Sequence, residues 1–486
     1  MEWDRETDVI VVGYGSAGGM AAIAAHDAGA SVLILEKMAQ EGGTTRTSGG
    51  RMRIVLDPEK AVDFFHRICE GTTPRDIIEV YVYEGLKIPD WIQQLGGEIE
   101  ESVDAPHHYP VHLEPQIEGA VSVSHKRHRV KGPFGSKDKA GGGGANLITL
   151  LVRNVTQRKI EVLLETSATT LITGRDGGVI GVEAKNQTRI LRIKARRGVI
   201  LTCGGFAANP AMLLEYVGQN YYYPYCNPGN TGDGIRMVME IGADLWHMSA
   251  IVAGFGYKVP DYDYPIPHKM PLPGYIYVDQ NGKRFMNETG VDSHLMWTQV
   301  FHWDVTTCSY PRVPCFTLFD SDTFRGGPIA TTLRGKIGDV YQWSDDNQPE
   351  LERGWITQCE TIDLLAKKLN MRPDILQNTV ARYNMFCMGG YDPDFNRNLQ
   401  TLSPLMRAPF YAMRLFPCIL NTQGGARRNS RAQVLDVHGK PIPRLYSAGE
   451  FGSLFHRFYI GAGNVRECIV FGRIAGQNAA REALWE

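Results

Sequence analysis

A tyrosine stands directly before a glycine-rich turn near the end of the sequence, where the chain reads "HRFYIGAGNVRECIVFGRIAG" from His456 to Gly476. Tyr459 precedes Gly461 and Gly463, and an apolar stretch with the character of a helix follows. Such a turn exposes backbone N–H groups, and the helix behind it adds a partial positive charge. A phenol beside these donors can hold a substrate oxygen on which negative charge develops. A glycine-rich loop with a packed tyrosine is the alternative.

A second chemical pattern lies near the start of the chain. Gly13, Gly15 and Gly18 form a GxGxxG motif directly after the β-branched run Asp8–Val12. An alanine-rich helical stretch follows, and a second apolar run ends at Glu36. Strand, glycine turn, helix and a second strand that ends in an acidic residue are typical of a dinucleotide site.

Each residue of this motif has a separate physical role. Gly13 permits the tight turn, Gly15 lets the backbone approach a pyrophosphate, and Gly18 lets the helix pack closely on the strand. Glu36 is placed to accept hydrogen bonds from the ribose hydroxyls of the adenosine half. The pattern alone leaves NAD and FAD as the two alternatives.

Two later glycine loops favour FAD. The stretch "EGGTTRTSGG" (Glu41 to Gly50) places two glycine pairs with hydroxyl residues between them soon after Glu36. A second buried strand ends at Gly204 and Gly205 in "GVILTCGGFAANP". A flavin needs additional loops of this kind near its pyrophosphate and its ring. A second strand–GxGxxG–helix unit is not found, so a dedicated NAD(P)H domain is not indicated.

The composition excludes several classes of protein. The 486 residues carry a net charge of −2, so a nucleic-acid partner is not expected, and the short basic run "HKRHRVK" is predicted to be a solvated loop. The nine cysteines show no CxxC and no metal-ligand spacing, so we expect no metal. The charged start lacks a secretion signal, and no apolar run reaches the ~18 residues that span a bilayer. We expect a cytoplasmic protein with reduced thiols.

The chain as a whole resembles the FAD-dependent fumarate reductase and 3-ketosteroid dehydrogenase superfamily, and is closer to the ketosteroid dehydrogenase-like branch. The segments that carry the resemblance span almost the whole length in the family's order; they are "VVGYGSAGGMAA", "EGGTTRTSGG", "ILTCGGFAAN", "NTGDGIRMVMEIGADL", "GKRFMNE" and "PRLYSAGE…GAGN…IVFGRIAG". The resemblance implies an α/β fold, in which a discontinuous Rossmann-like FAD-binding domain is interrupted by an α+β capping domain. We expect the FAD-binding domain at residues 1–248 and 410–486, and the cap at residues 249–409.

The cap region also contains a helical pattern of its own. Apolar residues recur at helical spacing from Glu360 to Cys387, with a break near Arg372 and Pro373. This spacing predicts two helices divided at the proline. We interpret them as structural elements of the cap, not as carriers of chemistry.

The resemblance also implies which residues contact or frame FAD. They come from all the glycine loops and from the last helix, and comprise Gly13, Gly15, Ser16, Ala17, Gly18, Glu36, Lys37, Gly43, Thr44, Thr45, Ser48, Gly49, Gly50, Gly204, Gly205, Asp233, Glu450, Asn464 and Val465. In the branch with covalently bound flavin a histidine occurs in the second glycine loop. Here that loop has Thr44, Thr45 and Arg46, so noncovalent FAD is expected.

The reacting centre departs from both branches of the superfamily. Four residues past Asn-Glu in "RFMNETGVDSH", the fumarate reductases carry an arginine and the 3-ketosteroid 1-dehydrogenases a tyrosine, whereas this chain has Asp292. Asp292 is the candidate general acid or base, and His294 is the reserve candidate. The ketosteroid turn "TYPGPG" resembles "FYIGAG", which matches Tyr459 and Gly463 as the two donors to a ketone oxygen. A polar loop aspartate is the alternative for Asp292.

These matches predict a flavin enzyme that desaturates, or in reverse reduces, the C–C bond beside a cyclic ketone. A 3-ketosteroid is the leading substrate, and a small oxo-cyclohexane acid is the next. For such an acid a carboxylate partner is needed, and the cationic residues near the turn are His456, Arg457, Arg427 and Arg428. An ene-acid reductase related to the fumarate and urocanate reductases is the alternative. Either enzyme requires an external electron acceptor or donor, or dioxygen.

Overall fold

The computed structural model describes residues 2–102, 117–132, 142–187, 189–331 and 341–485. Twenty strands occur in these residues and are numbered β1 to β20 in chain order. Strands β1 to β10 are Arg5–Val12, Val32–Leu35, Met52–Val55, Ile99–Ser102, Val123–Val130, Glu161–Leu163, Thr166–Thr173, Val179–Asn186, Arg189–Leu201 and Tyr223–Pro224. Strands β11 to β20 are Leu245–Trp246, Ile251–Tyr257, Ile266–Pro267, Tyr275–Val278, Cys315–Phe319, Thr357–Cys359, Phe410–Thr422, Gly425–Ala426, Gln433–Leu435 and Pro441–Ser447.

The same residues contain thirteen α-helices, which are numbered α1 to α13. These are Ser16–Asp27, Gly43–Thr47, Pro58–Ile68, Arg75–Gly85, Ile88–Gln94, Gly143–Gln157, Pro210–Met212, Asp233–Glu240, Ser321–Arg325, Gln348–Glu352, Ile362–Lys368, Pro373–Gly389 and Asn464–Ala480. Short 3₁₀ turns lie at Ala120–Ser122, Met296–Gln299 and Leu399–Thr401, and a π turn lies at Leu213–Val217. None of the described helices is both long enough and apolar enough to cross a membrane.

The first sheet is built around a parallel core. Its strand order is β19-β20-β9-β1-β2-β6, and β7 and β8 extend it as an antiparallel hairpin next to β9. Strand β1 pairs in parallel with β2 and β9, and β20 pairs in parallel with β9. The β-branched runs of β1 and β2 are buried because parallel strands are covered on both faces. The last segment of the chain therefore completes a sheet begun by the first.

Helices α1 and α13 pack against each other beside this sheet. The close approach depends on glycine, because a Cβ at Gly472 would lie 2.6 Å from the carbonyl oxygen of Ala17. A Cβ at Gly476 would lie 2.2 Å from the carbonyl oxygen of Ala21. The alanine-rich sequence of α1 and the glycines of α13 thus bring the ends of the chain together. Helix α13 begins at Asn464, five residues after Tyr459.

The second sheet is antiparallel for most of its length and has the order β13-β12-β17-β15-β14. The long strand β17 pairs with β12, β15 and β16 along its length. Helices α11 and α12 pack on this sheet through Leu365, Leu376 and Tyr383. The two predicted cap helices are therefore confirmed, with α12 starting at Pro373. The strand pairing continues through β17 to Thr422, and the domain limits at 248 and 409 stay a prediction.

The predicted fold class is confirmed by these two sheets and their helices. One local expectation is wrong. The basic run "HKRHRVK", expected as a solvated loop, forms most of strand β5, which pairs with β3 and β4. Lys126 and Arg129 form ion pairs with Glu101 and Glu100 on β4, and Arg127 is buried. Ion pairs across the strands stabilise this run as part of a sheet. The positive charge of the run alone did not predict its pairing with acidic residues on β4.

Candidate active site

A cavity lies at the carboxyl ends of the parallel strands of the first sheet. Its walls come from both ends of the chain: from the β1–α1 turn, the segment after β2, the start of α8, and residues 448–450 after β20. In open α/β sheets, ligands bind at this edge. The predicted cofactor residues that line the cavity are Gly13, Gly15, Ser16, Ala17, Glu36, Lys37, Gly43, Thr44, Thr45, Gly204, Asp233 and Glu450.

The glycines of the first turn divide into two kinds. A Cβ at Gly15 would meet no atom within 3.7 Å, and its nearest contact would be the carbonyl oxygen of Gly42 at 3.8 Å. A Cβ at Gly18 would lie 2.0 Å from the carbonyl oxygen of Gly13, and Gly13 itself has a φ of +99°. Gly15 therefore leaves open space in front of the α1 N-terminus, whereas Gly13 and Gly18 are needed for the turn and for packing. This space suits a pyrophosphate beside backbone N–H groups.

Glu36 is held in place by the backbone around the cavity. Its Oε2 accepts the N–H of Tyr14 at 2.8 Å, and its Oε1 accepts the N–H of Met38 at 2.8 Å. Burial raises the pKa of this carboxyl, while these N–H groups oppose the shift. Both oxygens keep lone pairs that can accept ribose hydroxyls.

Lys37 and Asp233 close the same end of the cavity. The Nζ of Lys37 donates to Asp233 at 2.5 Å and to the hydroxyl of Thr231 at 2.6 Å. This ion pair joins the segment after β2 to the first turn of α8, since Asp233 begins that helix. The two predicted residues thus act on each other, and together they fix the wall that faces the adenosine side.

Glu450 also lines the cavity. Its Oε1 accepts the backbone N–H of Thr422 at 3.1 Å and the amide of Asn230 at 3.4 Å. Burial raises the pKa of this carboxyl to about 8, against the partial stabilisation from those donors. Burial thus favours the protonated form of Glu450, which can donate a hydrogen bond to a ligand oxygen.

Hydroxyl and amide groups of the second glycine loop complete the wall. The hydroxyls of Ser16 and Thr45 lie 2.9 Å apart, and the hydroxyl of Thr44 accepts the amide of Asn230 at 3.2 Å. Asn227 and Asn230 also line the cavity, and we did not identify them from the sequence. Their signal was the "NPGN" turn, a pattern of Asn and Gly that holds side-chain amides next to a helix start.

Seven of the predicted cofactor residues are not among those that line the cavity: Gly18, Ser48, Gly49, Gly50, Gly205, Asn464 and Val465. Several serve packing instead. A Cβ at Gly50 would lie 2.1 Å from the carbonyl carbon of Gly143, and one at Gly205 would lie 2.0 Å from the hydroxyl of Thr422. Ser48 caps its own loop by donating to the carbonyl of Thr45 and accepting the N–H of Gly50.

Tyr459 is buried at the N-terminus of α13. Its hydroxyl oxygen accepts the backbone N–H of Gly463 at 3.1 Å and that of Asn464 at 3.3 Å. Burial raises the pKa of this phenol to about 12, and the two N–H groups partly offset the shift. From the sequence we expected the Tyr459 hydroxyl and the Gly463 N–H to point side by side at one oxygen. In the structure the Gly463 N–H donates to the phenol oxygen instead. The hydroxyl hydrogen of Tyr459 is then the donor that remains for a substrate oxygen.

Asp292 and His294 lie beside this phenol. The Oδ1 of Asp292 accepts the backbone N–H of His294 at 2.8 Å and lies 2.9 Å from its Nδ1. The imidazole packs edge-on against the ring of Tyr459, with centroids 5.4 Å apart and an interplanar angle of 87°. The structure therefore brings together three of the four residues that we predicted for the reacting centre from separate parts of the sequence, and the fourth, Gly463, contacts the phenol.

A buried ion network anchors the loop that carries this pair. Glu288, in the "RFMNE" segment, accepts hydrogen bonds from Arg284 at 2.8 and 2.9 Å and from Arg397 at 2.9 Å. Arg284 also donates to Asp392 at 3.0 Å. All four side chains are nearly or fully buried. The charges of this segment therefore have a structural use, since they fix the chain four residues before Asp292.

Three of the cations considered as carboxylate partners are engaged elsewhere. Arg428 is fully buried and pairs with Glu467, while its Nη1 donates to the carbonyl of Gly452. Arg427 pairs with Asp244 at 2.6 Å, and His456 pairs with Glu70 at 2.6 Å. The fourth, Arg457, is exposed.

Comparison with known proteins gives the same cofactor. The FAD binding domain family matches residues 8–465 of this chain. Among solved structures, 3-ketosteroid Δ1-dehydrogenase from Sterolibacterium denitrificans superposes with a TM-score of 0.81 at 23% identity, covering 98% of this chain and 99% of that one. The open conformation of a flavocytochrome c3 fumarate reductase superposes with a TM-score of 0.74 at 24% identity, covering 99% and 79%. These similarities support the fold.

The curated relatives share 26–29% of their residues with this chain, and the part of each relative that the chain covers differs. The NADH:fumarate oxidoreductase of Klebsiella pneumoniae is 29% identical over 99% of this chain, but the chain spans only 48% of that protein. Digoxin reductase of Eggerthella lenta is 28% identical, covering 100% of this chain and 89% of its own length. The 3-oxosteroid 1-dehydrogenase of Mycolicibacterium smegmatis is 26% identical, covering 99% and 98%. The chain belongs to the FAD binding domain family and is a flavoprotein oxidoreductase.

Proposed function

We propose that this flavoprotein desaturates, or in reverse reduces, the C–C bond beside the carbonyl of a cyclic ketone. The observation that carries the proposal is the position of Tyr459, whose phenol oxygen accepts two N–H groups at the start of α13. A hydroxyl polarised in this way is a strong donor to an oxygen that gains negative charge. Removal of a hydrogen beside a ketone places that charge on the carbonyl oxygen.

The cavity fits FAD held without a covalent bond. The α1 N-terminus with Gly15 suits the pyrophosphate, Glu36 suits the ribose of the adenosine half, and Glu450 suits a hydroxyl or carbonyl oxygen of the flavin half. In the loop where covalent flavoproteins carry a histidine, Arg46 is engaged with Glu41 at 2.6 Å. Bound FAD supplies the acceptor, or in reverse the donor, of the hydride at the β-carbon.

The protein side chains handle the remaining charge and proton. Tyr459 holds the carbonyl oxygen while charge develops there. The Asp292–His294 pair, which packs against Tyr459, exchanges the proton at the carbon next to the carbonyl. This arrangement has the two parts that such chemistry needs: a donor at the oxygen, and an acid or base at the α-carbon.

A neutral ketone is favoured over an acid as the substrate. Arg427, Arg428 and His456 are each paired with a carboxylate of the protein. Three of the four candidate partners for a substrate carboxylate are therefore already engaged. Among neutral ketones, a 3-ketosteroid is preferred because a relative that matches 99% of this chain and 98% of its own length is named 3-oxosteroid 1-dehydrogenase. A small oxo-cyclohexane acid is the next choice, with Arg457 as the remaining cation.

The second candidate is an ene-acid reductase that draws electrons from a partner protein. It is supported by relatives that are named for acids, such as the urocanate reductase of Eggerthella lenta, which is 27% identical over 98% of this chain. For this candidate the loop from Asp292 to His294 supplies the proton, and the oxygen held by Tyr459 belongs to a carboxylate.

Steady-state turnover with matched substrates distinguishes the two. Saturated cyclic ketones with a dye acceptor, and cyclic enones with reduced viologen as donor, are compared with carboxylates of the same ring size. The proposal predicts turnover of ketones or enones and none of the acids. Turnover of acids alone would contradict it and favour the reductase.

A further inference from the structure

We propose, on the basis of this function, that His294 is the side chain that exchanges the proton at the α-carbon, and that Asp292 is a positioning residue that acts through it. From the sequence Asp292 was the first candidate and His294 the reserve. The geometry of the loop reverses that order. The evidence is the pair of contacts that Asp292 makes to one residue, together with the packing of the imidazole on Tyr459.

The first contact fixes the loop and the second fixes the ring. The Oδ1 of Asp292 accepts the backbone N–H of His294 at 2.8 Å, which sets the turn between the two residues. The same oxygen lies 2.9 Å from Nδ1 of the imidazole. An ionised carboxylate only accepts hydrogen bonds, so Nδ1 carries the hydrogen of a neutral ring. Nε2 is then the basic nitrogen, and its position is set by the backbone as well as by the side chain.

The second observation is where the ring lies. The imidazole meets the ring of Tyr459 edge-on at 5.4 Å, and a Cβ at Gly461 would lie 3.0 Å from its Cε1. The carbonyl of His294 accepts the N–H of Ala253 at 3.2 Å, which ties the loop to the strand β12. The imidazole therefore lies next to the phenol ring. The Oδ1 atom of Asp292 contacts the backbone and the ring of His294.

The chemistry balances with two side chains and one carrier of electrons. In the oxidative direction Nε2 of neutral His294 takes the α-proton, the pair of electrons of that C–H bond forms the C=C bond, and the β-hydrogen leaves with its electron pair to bound FAD. The imidazolium that forms is stabilised by the carboxylate of Asp292. An external two-electron acceptor then reoxidises the enzyme, and water takes the proton from His294. Reduction runs the same steps backwards with an external donor.

The charged and titratable groups around the imidazole set the pH dependence of the step. They include Asp292 on its own loop and Tyr459 on the turn before α13. Behind that turn, Arg53 donates to the carbonyls of Ile460 and Gly461. Loss of the Asp292 charge makes the imidazolium less stable, so the base stays neutral, and therefore active, to lower pH.

The experiment measures exchange of the α-hydrogen of a saturated cyclic ketone with solvent deuterium, by NMR, in the FAD-loaded enzyme. His294→Gln is expected to keep the visible flavin spectrum and lose about 10²- to 10⁴-fold in exchange. Asp292→Asn is expected to keep part of the exchange, with the acid limb of the pH profile displaced to lower pH by about one unit or more. Asp292→Glu is expected to restore the wild-type profile. His438→Gln, on an exposed turn, is the matched control.

Two outcomes overturn the proposal. Exchange close to wild type in His294→Gln would place the base elsewhere, and complete loss in Asp292→Asn while His294→Gln keeps part of the exchange would make the carboxylate the base. His294→Gly with added imidazole is a second test: rescue supports the assignment, and wild-type exchange without imidazole contradicts it. If the wild-type enzyme exchanges no ketone hydrogen and turns over none, the proposed function itself fails, which distinguishes that failure from an error about His294.

Discussion

The hydroxyl oxygen of Tyr459 accepts the backbone N–H of Gly463 across 3.1 Å. The N–H of Gly463, at the start of α13, therefore points at the phenol oxygen. The phenol oxygen is thereby polarised by two N–H groups, since Asn464 donates to it as well. The donor that remains for a substrate oxygen is the hydroxyl hydrogen of Tyr459.

Replacement of Tyr459 by phenylalanine removes this donor and little else. We expect Tyr459→Phe to bind FAD and to fold, because the ring and its contact with Phe455 are kept. Turnover of ketones should fall by about 10²- to 10³-fold, the usual loss for one donor to a developing oxyanion. The measurement is kcat with a saturating ketone and a dye acceptor.

The matched control is Tyr446→Phe, which removes a buried hydroxyl that contacts Glu482 in the first sheet. It should leave kcat within about twofold of wild type, since this hydroxyl contacts Glu482 and not the turn that carries Tyr459. Equal losses in both variants would show that the Tyr459 effect is structural.

Gly15 and Gly18 offer a test of the cofactor cavity. Gly15→Ala places a methyl group in open space, so the FAD-free protein should keep its unfolding temperature while its affinity for FAD falls by about 10-fold or more. Gly18→Ala places a methyl group 2.0 Å from a backbone oxygen, so it should destabilise the fold by about 1–3 kcal/mol. Thermal unfolding of the FAD-free proteins and flavin fluorescence titration separate the two effects. A loss of stability in Gly15→Ala equal to that in Gly18→Ala would argue against a cavity there.

The carboxyl of Glu450 predicts a pH dependence of stability. Its pKa is about 8 in the folded protein against an ordinary value of 4.5, so the folded state holds a proton that the unfolded state releases. Stability of the FAD-free protein should therefore fall as pH rises from about 5 to 8, by at most about 1.4 kcal/mol per pH unit. Glu450→Gln should remove this part of the slope. Identical slopes for the two proteins in chemical denaturation would contradict the buried carboxyl.

The ion pair of Arg428 and Glu467 lies in the core near the start of α13, and both side chains are fully buried. Glu467→Gln leaves the Arg428 charge without its counter-charge and should destabilise the protein by about 3–5 kcal/mol. The double variant Arg428→Met with Glu467→Met should recover most of this loss. Urea unfolding of the three proteins checks the expectation, and a double variant as unstable as Glu467→Gln would disprove it.

Local patterns predicted the elements, whereas long-range contacts decided the site. The strand, turn and helix around Gly13 and the two cap helices could be read from the sequence, because hydrophobic spacing and glycine geometry are local properties. The contact between His294 and Tyr459 joins residues 165 positions apart, and only the packing of the loop after β14 against the turn before α13 produces it. The direction of the Gly463 N–H depends on the folded geometry of the turn, and the pKa of Glu450 depends on burial. Neither property can be predicted from local sequence patterns.

Anaerobic mixing of the oxidised holoenzyme with a saturated cyclic ketone tests the central claim most directly. An oxidised flavin absorbs at about 450 nm, and loss of this absorbance reports the hydride transfer. We predict bleaching in the wild-type enzyme by a 3-ketosteroid or a small cyclic ketone, slowed by about 10²- to 10³-fold in Tyr459→Phe. An unchanged flavin band with every ketone, together with reoxidation of the reduced enzyme by ene-acids alone, would contradict it.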